Sequence, residues 1–114
     1  MRYMLLFAGD QETFDAMTPE DSTAMLEQIG EWWSEHSATG TIVGGDQLQP
    51  PRTAKTVRHE GGGIRVTDGP FIEAKEHIGG FALVEVAGVE QALELARTWP
   101  AAGTVEVRPV VEHY

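Results

Sequence analysis

Residues 81–108 read FALVEVAGVEQALELARTWPAAGTVEVR, and their periodicity changes twice. Phe81 to Val86 is an apolar run of strand length, rich in the branched and aromatic residues that suit a pleated surface. Val89, Ala92, Leu93, Ala96 and Trp99 then recur at three- and four-residue spacing, which gathers them on one helix face. Pro100 stops that helix, because proline pushes the residue before it out of helical backbone. From Thr104 to Val111 the period is two, with Val105 and Val107 on one face and Glu106 and Arg108 on the other. Pro109 cannot donate to a ladder, so the late part of this strand belongs at an edge or a bulge. The stretch is a strand–helix–strand half.

The amino-terminal part repeats the pattern. Arg2 to Ala8 predicts a strand that is apolar almost throughout, and Gly9 and Asp10 end it. Thr18-Pro19-Glu20-Asp21 predicts a helix start, with Thr18 as N-cap, proline in the first turn and acids near the positive end of the dipole. Met25, Leu26, Ile29, Trp32, Trp33 and His36 give that helix a broad apolar face, and Gly40 supplies the left-handed residue that reverses the chain. Thr41-Ile42-Val43 opens a second strand, in which Gly44-Gly45 permits a bend or a close backbone approach. Gln49-Pro50-Pro51 leaves regular structure. Lys55–His59 and Ile64–Thr67 flank Glu60-Gly61-Gly62-Gly63 as a hairpin.

The order is thus β-α-β, a hairpin insertion, then β-α-β. Two such halves predict a ferredoxin-like α+β sandwich, an antiparallel sheet with both helices on one face. At 114 residues the chain is the length of one domain, taken as residues 1–114. Met4–Phe7 and Phe81–Val84 are apolar on both faces, so the sheet face away from the helices needs cover. The sequence offers no third layer, and a homodimer packed sheet against sheet is the expected solution.

Eight Lys and Arg against eighteen Asp and Glu give a net charge of −10. No basic stripe offsets this, which argues against direct nucleic-acid binding. No apolar run approaches the ~20 residues that span a bilayer, so no membrane association is expected. Met4 to Ala8 is too short for a signal-peptide core, and Asp10 and Glu12 follow at once. There are no cysteines, hence neither disulfides nor thiolate chemistry, and a cytoplasmic location is expected. Gly61-Gly62-Gly63 lacks the lysine and helix of a phosphate loop, and no serine sits in a nucleophile elbow.

Chemistry concentrates in residues 67–80, TDGPFIEAKEHIGG. Asp68-Gly69-Pro70-Phe71 reads as a turn, or as a carboxylate held at a strand end where it can accept a proton. Glu73, Lys75, Glu76 and His77 read as a helical turn of solvated charges, or as an acid–base cluster. Glu-x-x-Glu-His lacks the spacing of a known ligand set, so no metal is expected. His36 suits the negative end of its helix, and the Trp32-Trp33 pair is expected to divide between core and pocket wall.

Several strings carry a resemblance over nearly the whole chain: MRYMLLFAGD, IVGGDQLQPPRTAKTVR, VTDGPFIEAKEHIGGFALVEV, ALELARTWP and GTVEVRPVVE. In these the sequence resembles the DGPF-domain branch of the YCII-related protein family. The resemblance implies a ferredoxin-like fold assembled as a dimeric α+β barrel. It also implies a signature made of Asp68, Glu73, Lys75 and Glu76, with Gly44, Gly45 and Asp46 ahead of Leu48-Gln49-Pro50. Some family members place a histidine on the first helix near an aspartate; the corresponding region here reads Ala24-Met25-Leu26-Glu27. DGPF proteins are often encoded beside extracytoplasmic-function sigma factors.

Two functional expectations follow. In the first, the chain binds a small molecule or acts on it by acid–base chemistry, without a cofactor. Asp68 is then the base, Glu76 a second proton carrier, and Asp46, Glu73, Lys75, Gly45 and Trp33 contact the substrate. In the second, it is a non-catalytic regulatory module whose acidic surface meets a protein partner such as a sigma factor.

Overall fold

The computed structural model describes residues 1–71 and 74–112. Its elements are β1 (Arg2–Asp10), α1 (Gln11–Asp15), α2 (Pro19–Ala38), β2 (Ile42–Gln47), a short 3-10 turn (Pro51–Thr53), β3 (Lys55–Glu60), β4 (Gly63–Asp68), β5 (Glu76–Glu85), α3 (Val89–Arg97) and β6 (Thr104–Pro109). Four strands form a sheet in the order β2-β5-β1-β6, and β3 and β4 form a separate ribbon. All pairings are antiparallel. This is the ferredoxin-like α+β arrangement with a hairpin inserted between its second and third sheet strands.

The core lies on the helix side of the sheet. Alternation along β1 and β5 sends Tyr3, Leu5, Phe7, Ala82 and Val84 inward, where Ile42, Trp32, Ala92 and Leu95 meet them. Aromatic rings close the wide end of this core. Phe7 stacks on Trp99 at 3.9 Å, and Trp32 sets its edge against both rings. The Trp32 indole donates from Nε1 to Thr98 Oγ1 at 2.8 Å, so its one polar atom is satisfied inside. On the opposite sheet face Met4, Leu6, Phe81 and Leu83 are half-buried and Val43 is exposed, and among the described residues no helix covers that face.

Local signals account for most boundaries. The Thr18 hydroxyl accepts the Asp21 amide at 3.1 Å, with Pro19 in the first turn of α2. Gly40 takes φ +78° after the helix. Strand β1 runs on through Gly9 to Asp10, and other elements also differ from the sequence reading. Strand β5 starts at Glu76 rather than Phe81, because Glu76 and His77 pair with Asp10 and Gly9 of β1 instead of forming a helical turn. Strand β6 stops at Pro109, the residue with no N–H to donate. Helix α1 was not anticipated; the Asp10 carboxylate caps it by accepting the Glu12 amide at 3.0 Å.

Candidate functional site

Helix α2 leaves its own sheet along its amino-terminal half. Trp32 is its only buried residue, while Met25, Ile29 and Trp33 are half-exposed and Leu26 is 44% exposed. The gap beneath it is an open cleft of about 1670 Å³. Its apolar wall comes from Phe14, Met17, Met25, Ile29, Trp33 and Leu48, and Pro100–Gly103 closes one end. One group of polar side chains gathers where β1 and β2 end and β5 begins, Asp10, Asp46, Gln47, Lys75, Glu76 and His77, and α2 adds Asp21, Gln28, Ser34 and Ser37.

Gly45 explains how the Trp33 ring reaches this position. Its φ is +131°, and a Cβ there would collide with the Phe81 carbonyl oxygen while lying 2.8 Å from Trp33 Cη2. Only glycine lets the indole lie over β2 at the cleft wall. The sequence reading of Gly44-Gly45 as a close approach therefore holds, and a slip in the β2–β5 register falls between Ile42 and Gly44. The division of the tryptophan pair holds as well: Trp32 is core and Trp33 is wall.

The remaining sequence-nominated residues divide into two groups. Gly45, Asp46, Trp33, Lys75 and Glu76 line one cleft. The Glu76 carboxylate accepts the Thr104 hydroxyl at 3.2 Å, which ties the start of β5 to β6 across the intervening strand. His77 joins them half-buried on β5; it was part of the charged cluster in the sequence but was not singled out there. Sequence reasoning also missed Phe14 and Met17, and the one available signal was Asp10 placed to cap a short helix.

Asp68 is not among the lining residues. It closes β4 opposite Lys55, whose Nζ lies 2.5 Å from Oδ1, and its side chain is 84% exposed. The turn after it is fixed by backbone groups and the Thr56 hydroxyl rather than by the carboxylate. The Gly69 amide donates to Ala54 O at 2.8 Å, Thr56 Oγ1 donates to Gly69 O at 2.7 Å, and Gly69 takes φ +95°. Beyond it the Arg58 guanidinium lies 4.7 Å over the Phe71 ring. Glu73 falls outside the described residues.

A family model for the YCII-related domain matches residues 1–113. The chain belongs to the YCII-related family. An uncharacterized protein of Rhizobium meliloti (strain 1021) is 32% identical to it, over 96% of this chain and 92% of that protein. Among the described residues of this YCII-related chain, no helix is long and apolar enough to cross a membrane.

Proposed function

We propose that this YCII-related protein is a cytoplasmic small-molecule-binding or acid–base domain of the DGPF branch, acting as a homodimer, with its ligand in the cleft beneath α2. The observation that carries this reading is the meeting of an aromatic and aliphatic wall with a cation, carboxylates and an imidazole at adjacent strand ends. Such sites bury an apolar body and orient it through a few polar groups. Lys75 suits an anionic substituent, and Glu76 and His77 are the groups positioned to move a proton.

The cleft is wider than one ligand needs. Small-molecule sites run to roughly 300–1,000 Å³, and this one is about 1670 Å³. A second copy narrowing it is the economical solution, and the uncovered face made by Met4, Leu6, Phe81 and Leu83 supports a dimer packed sheet against sheet, as in a dimeric α+β barrel. Asp68 can serve as a base in this scheme only when a second copy brings it to the cleft.

A thermal-shift panel of metabolites on wild type, Asp46→Asn, Lys75→Ala and Asp68→Asn tests the reading. A compound that raises the melting temperature of wild type and loses that effect in Asp46→Asn or Lys75→Ala supports it. A compound that shifts all four proteins equally binds elsewhere and refutes the site. Loss of the effect in Asp68→Asn alone marks a site shared between subunits.

The charge distribution favours one further reading. Residues 11–38 carry seven carboxylates and no Lys or Arg, a surface suited to a basic protein partner such as a sigma factor. Salt-sensitive capture of such a partner, with no ligand found, would favour the regulatory module.

A further inference from the structure

The β3–β4 hairpin is two-faced. Antiparallel pairing sets Val57 opposite Val66 and His59 opposite Ile64, so these side chains share one face. Thr56, Thr67, Arg58 and Arg65 share the other. The apolar face is bare: Val57 is 52%, Val66 63% and Ile64 68% exposed. A two-stranded ribbon is marginal in water unless its apolar face packs on something, and among the described residues of its own chain this one stays exposed.

The size of the unmet surface identifies a body large enough to cover it. A compact chain of this mass exposes about 6,200 Å², whereas this one exposes 7996 Å². The excess of about 1,800 Å² is what one partner gives up in a large obligate dimer. The radius of gyration tells the same story, 16.1 Å against about 13 Å for a compact domain of this length.

Charge selects where on a second copy the hairpin goes. Lys55 lies on the Val57 face of the hairpin and Arg52 at its foot, Arg58 and Arg65 lie on the other face, and residues 11–38 hold seven carboxylates and no Lys or Arg. The attraction is already visible inside one chain, where Arg52 at the foot of the hairpin lies 3.9 Å from Asp15 of α1. The acidic α1–α2 segment is also the one with a bare apolar face, built from Met25, Leu26 and Ile29.

We propose that the β3–β4 hairpin of each protomer is an exchanged arm, seating Val57, Ile64 and Val66 against the apolar face of α2 at the mouth of the second copy's cleft. The arm is a contact additional to the sheet-to-sheet packing, and it depends on that reading only in needing two copies. It narrows the cleft from outside. Asp68 lies on the same hairpin face as Val57 and Val66, so docking that face turns the Asp68 carboxylate toward the second copy.

The natural chain has no cysteine, so single introduced cysteines report cleanly. Ile64→Cys and Leu26→Cys chains carrying different tags are co-expressed and treated with a short bismaleimide. The expected product is a linked pair bearing both tags, and Ile64→Cys with Glu106→Cys, on the open sheet face, gives none. An Ile64→Asp chain, altered at a position exposed in the single chain, is expected to dissociate at least tenfold more readily in sedimentation equilibrium while keeping its melting cooperativity. Linkage of Ile64→Cys only to itself or to Glu106→Cys overturns the arm but leaves a dimer. A single-chain mass at all concentrations overturns the arm and the sheet-to-sheet dimer together, while leaving the ligand panel to decide the cleft.

Discussion

Val84 and Val66 are the same residue in the same kind of structure, and their surroundings differ completely. Val84 of β5 is flanked by Tyr3 of β1 and Ile42 of β2 and is fully buried. Val66 of β4 faces Val57 and is 63% exposed. Burial of a valine stabilises by roughly 1.5–3 kcal/mol, so Val84 contributes within one chain. Val66 contributes only when another body arrives. The molecule is thus a finished core joined to an unfinished arm, with the cleft beneath α2 lying between these two conditions.

The largest effect belongs to the finished part. Leu5 is fully buried at the centre of the sheet, and Leu5→Ala is expected to lower the unfolding free energy by about 2–5 kcal/mol through lost transfer energy and the cavity left behind. Urea titration measures this, and the loss should be the same at every protein concentration. A loss that shrinks on dilution would place Leu5 in an interface and break the comparison.

Val66→Ala sharpens the comparison from the other side. In dilute single chains the expected change lies within about 0.5 kcal/mol, as for other exposed positions. At concentrations where dimers form it is expected to reach about 1–2 kcal/mol, the value of two methyl groups taken from water. The same titration repeated over a concentration series reads both numbers. A concentration-independent result would leave the arm uncovered in solution.

The division between core and arm also governs what the sequence reveals. The fold was legible because the inward set of β1 and β5 and the apolar stripe of α3 answer to one core, and period-two and period-3.6 patterns record that directly. Thr18, Pro19 and Gly40 marked the ends of α2 by backbone chemistry that acts within a few residues. The start of β5 was missed because Glu76 and His77 are strand by virtue of pairing with Asp10 and Gly9, a contact between residues 66 to 68 positions apart. Propensity there favoured a solvated turn, and the ladder overrode it.

The candidate site was legible in part for the same reason. Gly45, Asp46, Lys75 and Glu76 converge because strand ends in this fold converge, whichever residues they carry, and Trp33 joins them from α2 over Gly45. Phe14 on α1 and Met17 just beyond its C-cap enter the cleft through a five-residue helix whose N-cap was the only local trace. Asp68 looked like a member of the site because its Asp-Gly-Pro turn holds a carboxylate at a strand end, seven residues before Lys75. The hairpin instead carries it away from its own cleft, and sequence separation of seven residues says nothing about which subunit a side chain serves.

Asp68→Asn is expected to have the smallest effect on stability, and it is the most informative about the arm. The Lys55–Asp68 pair is exposed on both sides, and such pairs contribute roughly 0–1 kcal/mol after side-chain ordering and screening. Asparagine keeps the size of the side chain, and the turn is held by Gly69, Ala54 and Thr56 rather than by the carboxylate. The melting temperature of the dilute protein should therefore stay close to that of wild type and respond little to salt. If the substitution instead cost several kcal/mol, the carboxylate would be desolvated against other groups, since only a buried ionised side chain loses that much when its charge is removed. A large loss that appeared only in the dimer would locate those groups on the second copy, and the core-and-arm division would then hold for stability as well as for the site.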